Sequence, residues 1–445
     1  MFSRGGIVAA QRIPNERLRS LLRESGWTQE AFARAVNVAG AEIGVRLGYD
    51  RTTVSHWLAG SEPRDPVPRL IAEVFSRRVG RRLTPAAAGF SHASHAARTE
   101  EPVDELTELP RQDADPLCHA RLARTPYQVL GRVPGWSEQP RVASEKPGLM
   151  RVGASEVALL HGAVRHFAAA MDAHGGAHAR SALAVYVADT AATWLRAPGS
   201  EEVHRHLCMA ASRLTFLLAR MHADMDAHGL AQRYLTLSLS LANEARHKGM
   251  WATTLRAVSA QALQLGHTLP ALQCAEAAVS VGGEGAPGAV RAYLYAQLAV
   301  ARAAVRDARA ADEALAHAEL ALAEAALGES EGPFDAYPVG ALAFQSAEAH
   351  SRLGRQVAAV RELHRSADAR DPLDRRGLAL TLSRRAELLM TCGHLEEACA
   401  TWDRFLGASD GLHSHSVTAA HTRMRSALRP YGRHPAARQL LRGAA

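Results

Sequence analysis

One segment, Tyr49 to Gly60, decides how the N-terminal part of the chain is interpreted. Its sequence is Tyr-Asp-Arg-Thr-Thr-Val-Ser-His-Trp-Leu-Ala-Gly. Asp50 is a favoured N-cap residue and Gly60 a favoured stop signal, so the segment predicts a short capped helix. Helical spacing places three apolar side chains on one face, which we expect to be buried: Val54, Trp57 and Leu58.

The opposite face of this predicted helix is polar. It carries four side chains that can hydrogen-bond to base edges and phosphates: Arg51, Thr52, Ser55 and His56. These groups crowd the N-terminal half of the helix, where a recognition helix contacts the major groove. A capped surface helix with ordinary polar residues has the same pattern, so this segment alone leaves both interpretations open.

A second short helix is predicted just before the first, between Gly26 and Asn37. Thr28 is its expected N-cap, and Glu30 lies in the first turn, where acidic residues are favoured. Its inward residues are Phe32, Ala33 and Val36. Two consecutive amphipathic helices of this length indicate a helix-turn-helix.

The two helices carry a family resemblance. The matching motifs are Trp27-Thr28-Gln29-Glu30, then Ala33-x-x-Val36, then Thr53-Val54-Ser55-x-Trp57-Leu58-x-Gly60. This set resembles the Cro/cI-type (XRE) DNA-binding domain. The resemblance implies that Gln29 touches a phosphate and that bases are contacted from four positions: Arg51, Thr52, Ser55 and His56. Residues 38–48 depart from the family pattern, which has a short turn there; they either lengthen the second helix or form a wing.

Two further helices complete the predicted domain: Asn15 to Ser25, and residues 69–79. Arg64 lies in the proline-rich turn after Gly60 and is placed to meet a phosphate, although a plain surface arginine is the commoner case. At the end of the last helix and just after it, four arginines form a basic cluster, either a clamp on the DNA backbone or a solvated helix end: Arg77, Arg78, Arg81 and Arg82.

The charge of the chain is concentrated in this region. Residues 1–90 contain 14 arginines, no lysine and eight acidic residues, a balance of +6, while all 445 residues together carry +7. Nearly the whole excess therefore lies where the helix-turn-helix is predicted. A polyanion is the expected partner of this domain.

Composition limits the class of protein. No apolar run approaches the length of a membrane span, and the N-terminus lacks the apolar block of a signal peptide, so we expect a cytoplasmic protein with no membrane partner. The five cysteines form no Cys-x-x-Cys pair, which argues against a disulfide framework and against a zinc site. Abundant alanine and few aromatic residues favour a helical fold.

Periodicity fades between residues 91 and 150. An acidic run comes first, followed by prolines at 110, 116, 126, 134, 140 and 147. This composition predicts a linker, with or without short docked pieces. Such an acidic linker either folds back over the basic domain or acts as a solvating spacer, and the spacer is the commoner case.

The remainder, residues 151–445, is repetitive. Five turn positions align at intervals of 39 to 48 residues: Asp226, Gly266, Arg306, Gly354 and Gly393. Five residues after each stands an alanine: Ala231, Ala271, Ala311, Ala359 and Ala398. Seven residues before each stands another small residue: Ala219, Ser259, Ala299, Ala347 and Ala386. Small residues at fixed offsets let two antiparallel helices approach closely, so this period predicts an α-solenoid.

The body also carries a resemblance. Leu353-Gly354-x-x-x-x-Ala359 resembles the tetratricopeptide (TPR) signature, although the period exceeds the norm of that family. Together the two halves resemble actinobacterial helix-turn-helix/TPR regulators of sporulation and antibiotic production. A more distant similarity is to peptide-sensing regulators that clamp a peptide through asparagines. Only Asn243 lies in this solenoid, so a small molecule or a protein is at least as plausible an effector as a peptide, and its binding residues are unknown.

Catalysis has no candidate residues, so we expect no enzyme and no cofactor. Several histidines lie close together in sequence: His174 with His178, His204 with His206, and His413 with His415 and His421. None of these groups has carboxylates or cysteines at ligand spacing, so we expect solvated histidines and no metal. The glycine-rich residues 282–288 lack the Lys-Ser/Thr of a phosphate loop and predict a connector.

The sequence thus predicts an all-α protein with three parts: a helix-turn-helix domain over residues 1–90, a linker over 91–150 and a TPR-like solenoid over 151–445. The favoured function is a DNA-binding transcriptional regulator, expected to act as a homodimer on double-stranded DNA and to control development or secondary metabolism. The alternative is an interaction scaffold whose helix-turn-helix does not bind DNA and whose concave solenoid surface is the working site.

Overall fold

The fold is all-α. The computed structural model describes residues 13–90, 102–137, 151–283, 285–325 and 336–443, and these residues contain no β-strand. They divide into two compact units, one of residues 1–98 with 124–131 and the other of residues 99–123 with 132–445. We call them the head and the body.

The head begins with four helices: α1 (Glu16–Ser25), α2 (Gln29–Glu42), α3 (Arg51–Leu58) and α4 (Val67–Val79). The predicted caps of α2 and α3 are confirmed, because Thr28 accepts a hydrogen bond from the Ala31 N–H and Asp50 accepts one from the Thr53 N–H. Asn15 caps α1 by accepting from the Leu18 N–H. Each cap satisfies a backbone donor that the helix itself leaves free.

Aromatic rings form the centre of the head. The ring of Phe32 stacks on Phe75 at 4.7 Å between centroids and meets the edge of Trp57 at 6.2 Å. All three predicted apolar residues of α3 are buried: Val54, Trp57 and Leu58. Fully burying side chains of this size contributes roughly 1.5–3 kcal/mol each, which fixes α3 by its inner face.

The predicted insertion lengthens the second helix and forms no wing. Helix α2 runs on to Glu42, and the loop that follows folds back so that Leu47 packs over Gly40, where a β-carbon would clash. The Asn37 side chain donates to the carbonyl of Tyr49 at 2.8 Å and accepts from its N–H at 3.0 Å. This pair of hydrogen bonds fixes the chain immediately before α3.

Residues 91–150, predicted as a linker with or without docked pieces, contain segments that belong to the two compact units. Two helices form there, α5 (Pro102–Ala114) and α6 (Pro116–Leu122), and both belong to the body. Residues 124–131 belong to the head, and Tyr127 and Val129 among them are buried. Residues 91–101 and 138–150 lie outside the described part, so the acidic run is described only from residue 102 onward.

The rest of the body is a stack of helical hairpins. Its first hairpin joins α7 (Ala154–His174) to α8 (Gly176–Tyr186), which continues through a π-turn (Val187–Ala191) into α9 (Ala192–Arg196). Five regular pairs follow: α10 (Glu201–Asp224) with α11 (His228–Glu244), α12 (Lys248–Gln264) with α13 (Thr268–Gly282), α14 (Gly288–Ala304) with α15 (Ala308–Ala325), α16 (Val339–Arg352) with α17 (Gln356–Asp368), and α18 (Arg375–Thr391) with α19 (Leu395–Ser409). The last helices are α20 (His415–Leu428) and α21 (Pro435–Gly443), with a 3₁₀ turn (Arg429–Tyr431) between them.

The predicted repeat is confirmed at its turns. All five aligned residues have a positive φ: Asp226, Gly266, Arg306, Gly354 and Gly393. In each turn the next residue donates its N–H to the carbonyl five positions back, for example His267 to Ala262 at 2.9 Å. This is the Schellman arrangement, which ends one helix and directs the chain into its antiparallel partner.

The small residues predicted to line the hairpins are all buried, including Ala231, Ser259 and Ala347. Tyr337 packs onto the solenoid, with its ring 5.3 Å from that of Tyr293. The glycine-rich segment is a connector from α13 to α14, as predicted. In the part of the chain that the structure describes, no helix is long and apolar enough to cross a membrane.

Candidate nucleic-acid interface

The outward face of α3 is exposed as the sequence predicts. Its four polar residues all lie in solvent: Arg51, Thr52, Ser55 and His56. The side chains of Arg51 and His56 make no hydrogen bond or ion pair with the described residues. The inner face is buried, so α3 cannot turn these groups inward without exposing Trp57.

The N-terminus of α3 is rigidly capped. Asp50 accepts hydrogen bonds from the N–H and the hydroxyl of Thr53 at 2.8 and 2.9 Å. These bonds hold the pKa of the Asp50 carboxyl below its ordinary value. Asp50 therefore stays ionised at neutral pH and keeps the start of the helix in place.

The structure brings Gln29 to α3. Its side-chain oxygen accepts a hydrogen bond from the Ser55 hydroxyl at 2.9 Å. Gln29 is the first residue of α2 and is half-buried, so this bond joins the start of α2 to the outward face of α3. The two residues that the family resemblance assigns to a phosphate and to a base are thus neighbours.

Two arginines flank α3 in the loops on either side. Arg64 lies in the turn after the helix, and Arg46 in the loop before it. Both are exposed and form no ion pair with a described residue. The sequence did not indicate Arg46 as a candidate contact, because no conformation was predicted for its loop. Its position five residues before Arg51 was the available signal.

The predicted basic cluster at the end of α4 mostly binds other residues of the head. Arg77 forms ion pairs with Glu42 of α2 and Glu73 at 2.9 and 2.8 Å. Burial alone would lower the pKa of Arg77, but these two carboxylates outweigh it and raise that pKa. Arg78 donates to the Ser25 carbonyl, and Arg81 pairs with Glu24. Both partners lie at the end of α1. Three of the four arginines therefore hold α4 against α1 and α2, and Arg82 remains exposed.

The body contains a side-chain cluster that sequence analysis missed. Ligand atoms of His204, Cys208 and Glu244 lie within 4.8 Å of one another, with the His204 Nε2 2.9 Å from a Glu244 oxygen. The expectation that no histidine group has carboxylates or cysteines at ligand spacing is therefore wrong for His204. His204 and Cys208 are four residues apart on α10, a spacing that can be seen in the sequence. Glu244 lies on another helix, α11. Burial raises the pKa of the Cys208 thiol well above its ordinary value.

Most histidines named in the sequence are solvated as expected: His174, His178, His206, His413 and His415. His204 and His421 are half-buried, and the pKa of His421 is lowered by burial. The described cysteines are free thiols.

One buried carboxylate of the body, Asp113 of α5, is 0% exposed. Its oxygens accept hydrogen bonds from Arg180 at 2.6 Å, His119 at 2.9 Å, His222 at 2.8 Å and the Tyr234 hydroxyl at 2.8 Å. Burial would raise the pKa of Asp113, but the bonds from the two histidines and the charge of Arg180 hold it far below its ordinary value. Burial lowers the pKa of His222, partly against the effect of Asp113. This network joins α5 to α6, α8, α10 and α11.

Comparison with known protein families finds a match in the head. A family described as the SP15 N-terminal domain matches residues 18–91. The match starts within α1 and covers α2 to α4, including the whole outward face of α3. No curated protein is significantly similar to this chain.

Proposed function

We propose that this protein is a cytoplasmic, sequence-specific DNA-binding transcriptional regulator with no catalytic activity. In this proposal the head reads double-stranded DNA through α3. The body supplies the contact between two copies and responds to an effector. Development or secondary metabolism is the proposed field of control, which rests on the family resemblance alone.

One observation carries the proposal. Helix α3 has a fully buried apolar face and an exposed polar face on which Arg51 and His56 have no partner among the described residues. A helix held by its inner face, with donors and acceptors outward, matches the requirement for direct readout in the major groove. Polar residues without a role inside the fold are available to an external ligand.

The arginines that lack partners surround that face. Arg46 and Arg64 precede and follow α3, so they suit phosphate contacts on either side of a groove. The arginines at the end of α4 suit this role less, because Arg77 and Arg81 already pair with acidic residues. We therefore assign base contacts to α3 and phosphate contacts to the two flanking loops, with Gln29 as a further phosphate contact.

The test is selection of bound sequences from genomic fragments by the full chain, followed by affinity measurements on the selected site. The double variant R51A/H56A should bind that site at least about thirtyfold more weakly, since each good base contact contributes about 1–3 kcal/mol. R46A and R64A should weaken binding to all sequences alike and each reduce the dependence on salt by about one ion. The control is R309A, which removes an exposed arginine of α15 paired only with Glu313.

Unchanged sequence preference in R51A/H56A would refute the assignment of α3. Failure of the full chain to retard any genomic fragment, together with protein partners captured without DNA, would favour the scaffold. Light scattering measures whether two copies associate. A dimer predicts two half-sites about 34–36 Å apart or a multiple of that distance.

A further inference from the structure

The body encloses a cavity of about 650 Å³. Its walls come mainly from α7 and from the first helix of each regular hairpin, α10, α12, α14, α16 and α18. These helices form one side of the stack. The volume falls within the range of roughly 300–1,000 Å³ that is typical of small-molecule sites.

Arg256 of α12 lies in this cavity and is only 9% exposed. Its guanidinium lies 4.1 Å from the centre of the Tyr293 ring, and its Nε has no hydrogen-bond partner. No carboxylate in the described ranges forms an ion pair with it. Attraction to the ring offsets part of the cost of burying the charge but gives its N–H groups no acceptor.

The other arginines of the cavity are compensated. Arg376 pairs with Asp224 at 2.6 Å and Arg220 with Asp172 at 3.7 Å. A third, Arg370, pairs with Asp374 through one terminal nitrogen, and its own Nε lacks a partner. Of the four arginines that line the cavity, Arg256 is therefore the one without a counter-charge among the described residues. A buried cation of this kind favours an anion from outside.

A second unpartnered donor lies beside it. The buried Tyr337 hydroxyl has no hydrogen-bond partner, and its ring meets the edge of Tyr293. Burial raises the pKa of Tyr337, so the phenol stays protonated and able to donate. Since Tyr293 contacts both Arg256 and Tyr337, the two donors lie on one wall of the cavity.

The cavity also has apolar surface for the body of a ligand. Side chains from four helices supply it, among them Met171 of α7, Leu217 of α10, Phe344 of α16 and Leu380 of α18. A ligand that satisfies both parts carries an oxyanion at one end and an apolar group at the other. Arginine binds carboxylate and phosphate groups through paired N–H donors.

We propose that this cavity binds a small organic acid, with its carboxylate or phosphate on Arg256 and Tyr337 and its apolar part against the surrounding helices. The proposal concerns the body alone, and DNA binding by the head is not needed for it. Its failure and that of the proposed function are measured separately.

The experiment is calorimetric titration of the full chain with three matched probes: 2-naphthoate, its neutral amide and 2-naphthyl phosphate. At least one of the two anions should bind at least about tenfold more tightly than the amide, as expected for a charge-assisted contact in a buried site. Preference for the carboxylate or for the phosphate supports the proposal in either case and tells the two anions apart.

Three variants locate the site. R256Q should lower the affinity for the anion at least about tenfold, and Y337F should lower it about two- to tenfold by removing one donor. R309Q is the control, since Arg309 lies on the surface of α15, and it should bind as the unchanged chain does. If circular dichroism shows that R256Q does not fold, Y337F decides.

Three results would overturn the proposal. The first is equal binding of anions and amide, which would mean an apolar cavity without charge selection. The second is no binding of any probe. The third is unchanged affinity in folded R256Q, or in Y337F where R256Q is unfolded.

Discussion

The Asp113 network and the outward face of α3 are two polar regions with opposite environments. Asp113 is fully buried, and four side chains from different helices satisfy its carboxylate. On α3, Arg51 and His56 are exposed and lack a partner within the described chain. Polar groups of the first kind hold the fold together, and removing one leaves its partners without a bond. Groups of the second kind are free to bind something else at little cost to stability.

The largest expected effect is the loss of stability when the buried Asp113 is replaced. Asp113→Ala removes the acceptor of the buried His222 and Tyr234 and of the half-buried Arg180 and His119, so the body should lose about 3–5 kcal/mol of stability. Hydrogen exchange of peptides from α10 and α11 measures it. The control is Asp189→Ala, whose 3.5 Å pair with Arg111 is exposed, and it should cost at most about 1 kcal/mol. Equal losses in the two variants would show that the network does not stabilise the body.

Two arginines of the head, one bonded within the fold and one not, allow the same comparison within a single unit. Arg77→Ala removes the ion pairs with the buried Glu73 and with Glu42, so it should destabilise the head by about 2 kcal/mol. Arg51→Ala removes no intramolecular bond, so the change should stay within about 0.5 kcal/mol. Hydrogen exchange of α1 to α4 reports both. A destabilisation by Arg51→Ala as large as that by Arg77→Ala would mean that the outward face serves the fold.

A smaller effect is expected from pH. Because the pKa of His222 is lower in the folded body than its ordinary 6.5, the unfolded chain binds more protons as pH falls below that value. Stability of the body should therefore decrease below about pH 6.5, by at most about 1.4 kcal/mol for each unit of pKa depression. Asp113 adds a further loss at lower pH, where the unfolded carboxyl becomes protonated and the folded one does not.

His222→Gln should flatten the first of these two losses and also reduce the second, because His222 helps to lower the pKa of Asp113. Denaturation midpoints between pH 7.5 and 5.5 measure the slope for both proteins. An identical slope in the variant would show that His222 does not cause it.

Local pattern was enough for the parts of the fold that local chemistry determines. The caps of α2 and α3, the buried face of α3 and the five turns of the solenoid all follow from residues within about one helical turn of each other. Arg306 takes a positive φ without being glycine, and only its place in the period identified it. The outward residues of α3 were predictable for the same reason, since exposure follows from periodicity.

Contacts between distant segments were not predictable. Asp113 meets His222 and Tyr234 across more than a hundred residues, and nothing near it in sequence indicates burial. Residues 102–122 were predicted only as part of a linker, because acidic residues and prolines are typical of linkers. Pro116 instead starts α6 next to the cap Asp115, a position where proline is favoured, and Pro110 lies inside α5. The role of Arg256 depends on what is missing around it, which no sequence pattern records.

The assignment of residues 124–131 to the head has a consequence for how the protein is made and dissected. The head is discontinuous in sequence, since the chain contributes α5 and α6 to the body before it supplies Tyr127 and Val129. A ribosome therefore completes the head only after two helices of the body have been synthesised. A fragment ended at residue 98 would lack residues 124–131 of the same compact unit, including the buried Tyr127 and Val129, so chimaeras that transplant the whole unit should join at or beyond residue 131 and carry α5 and α6 with it.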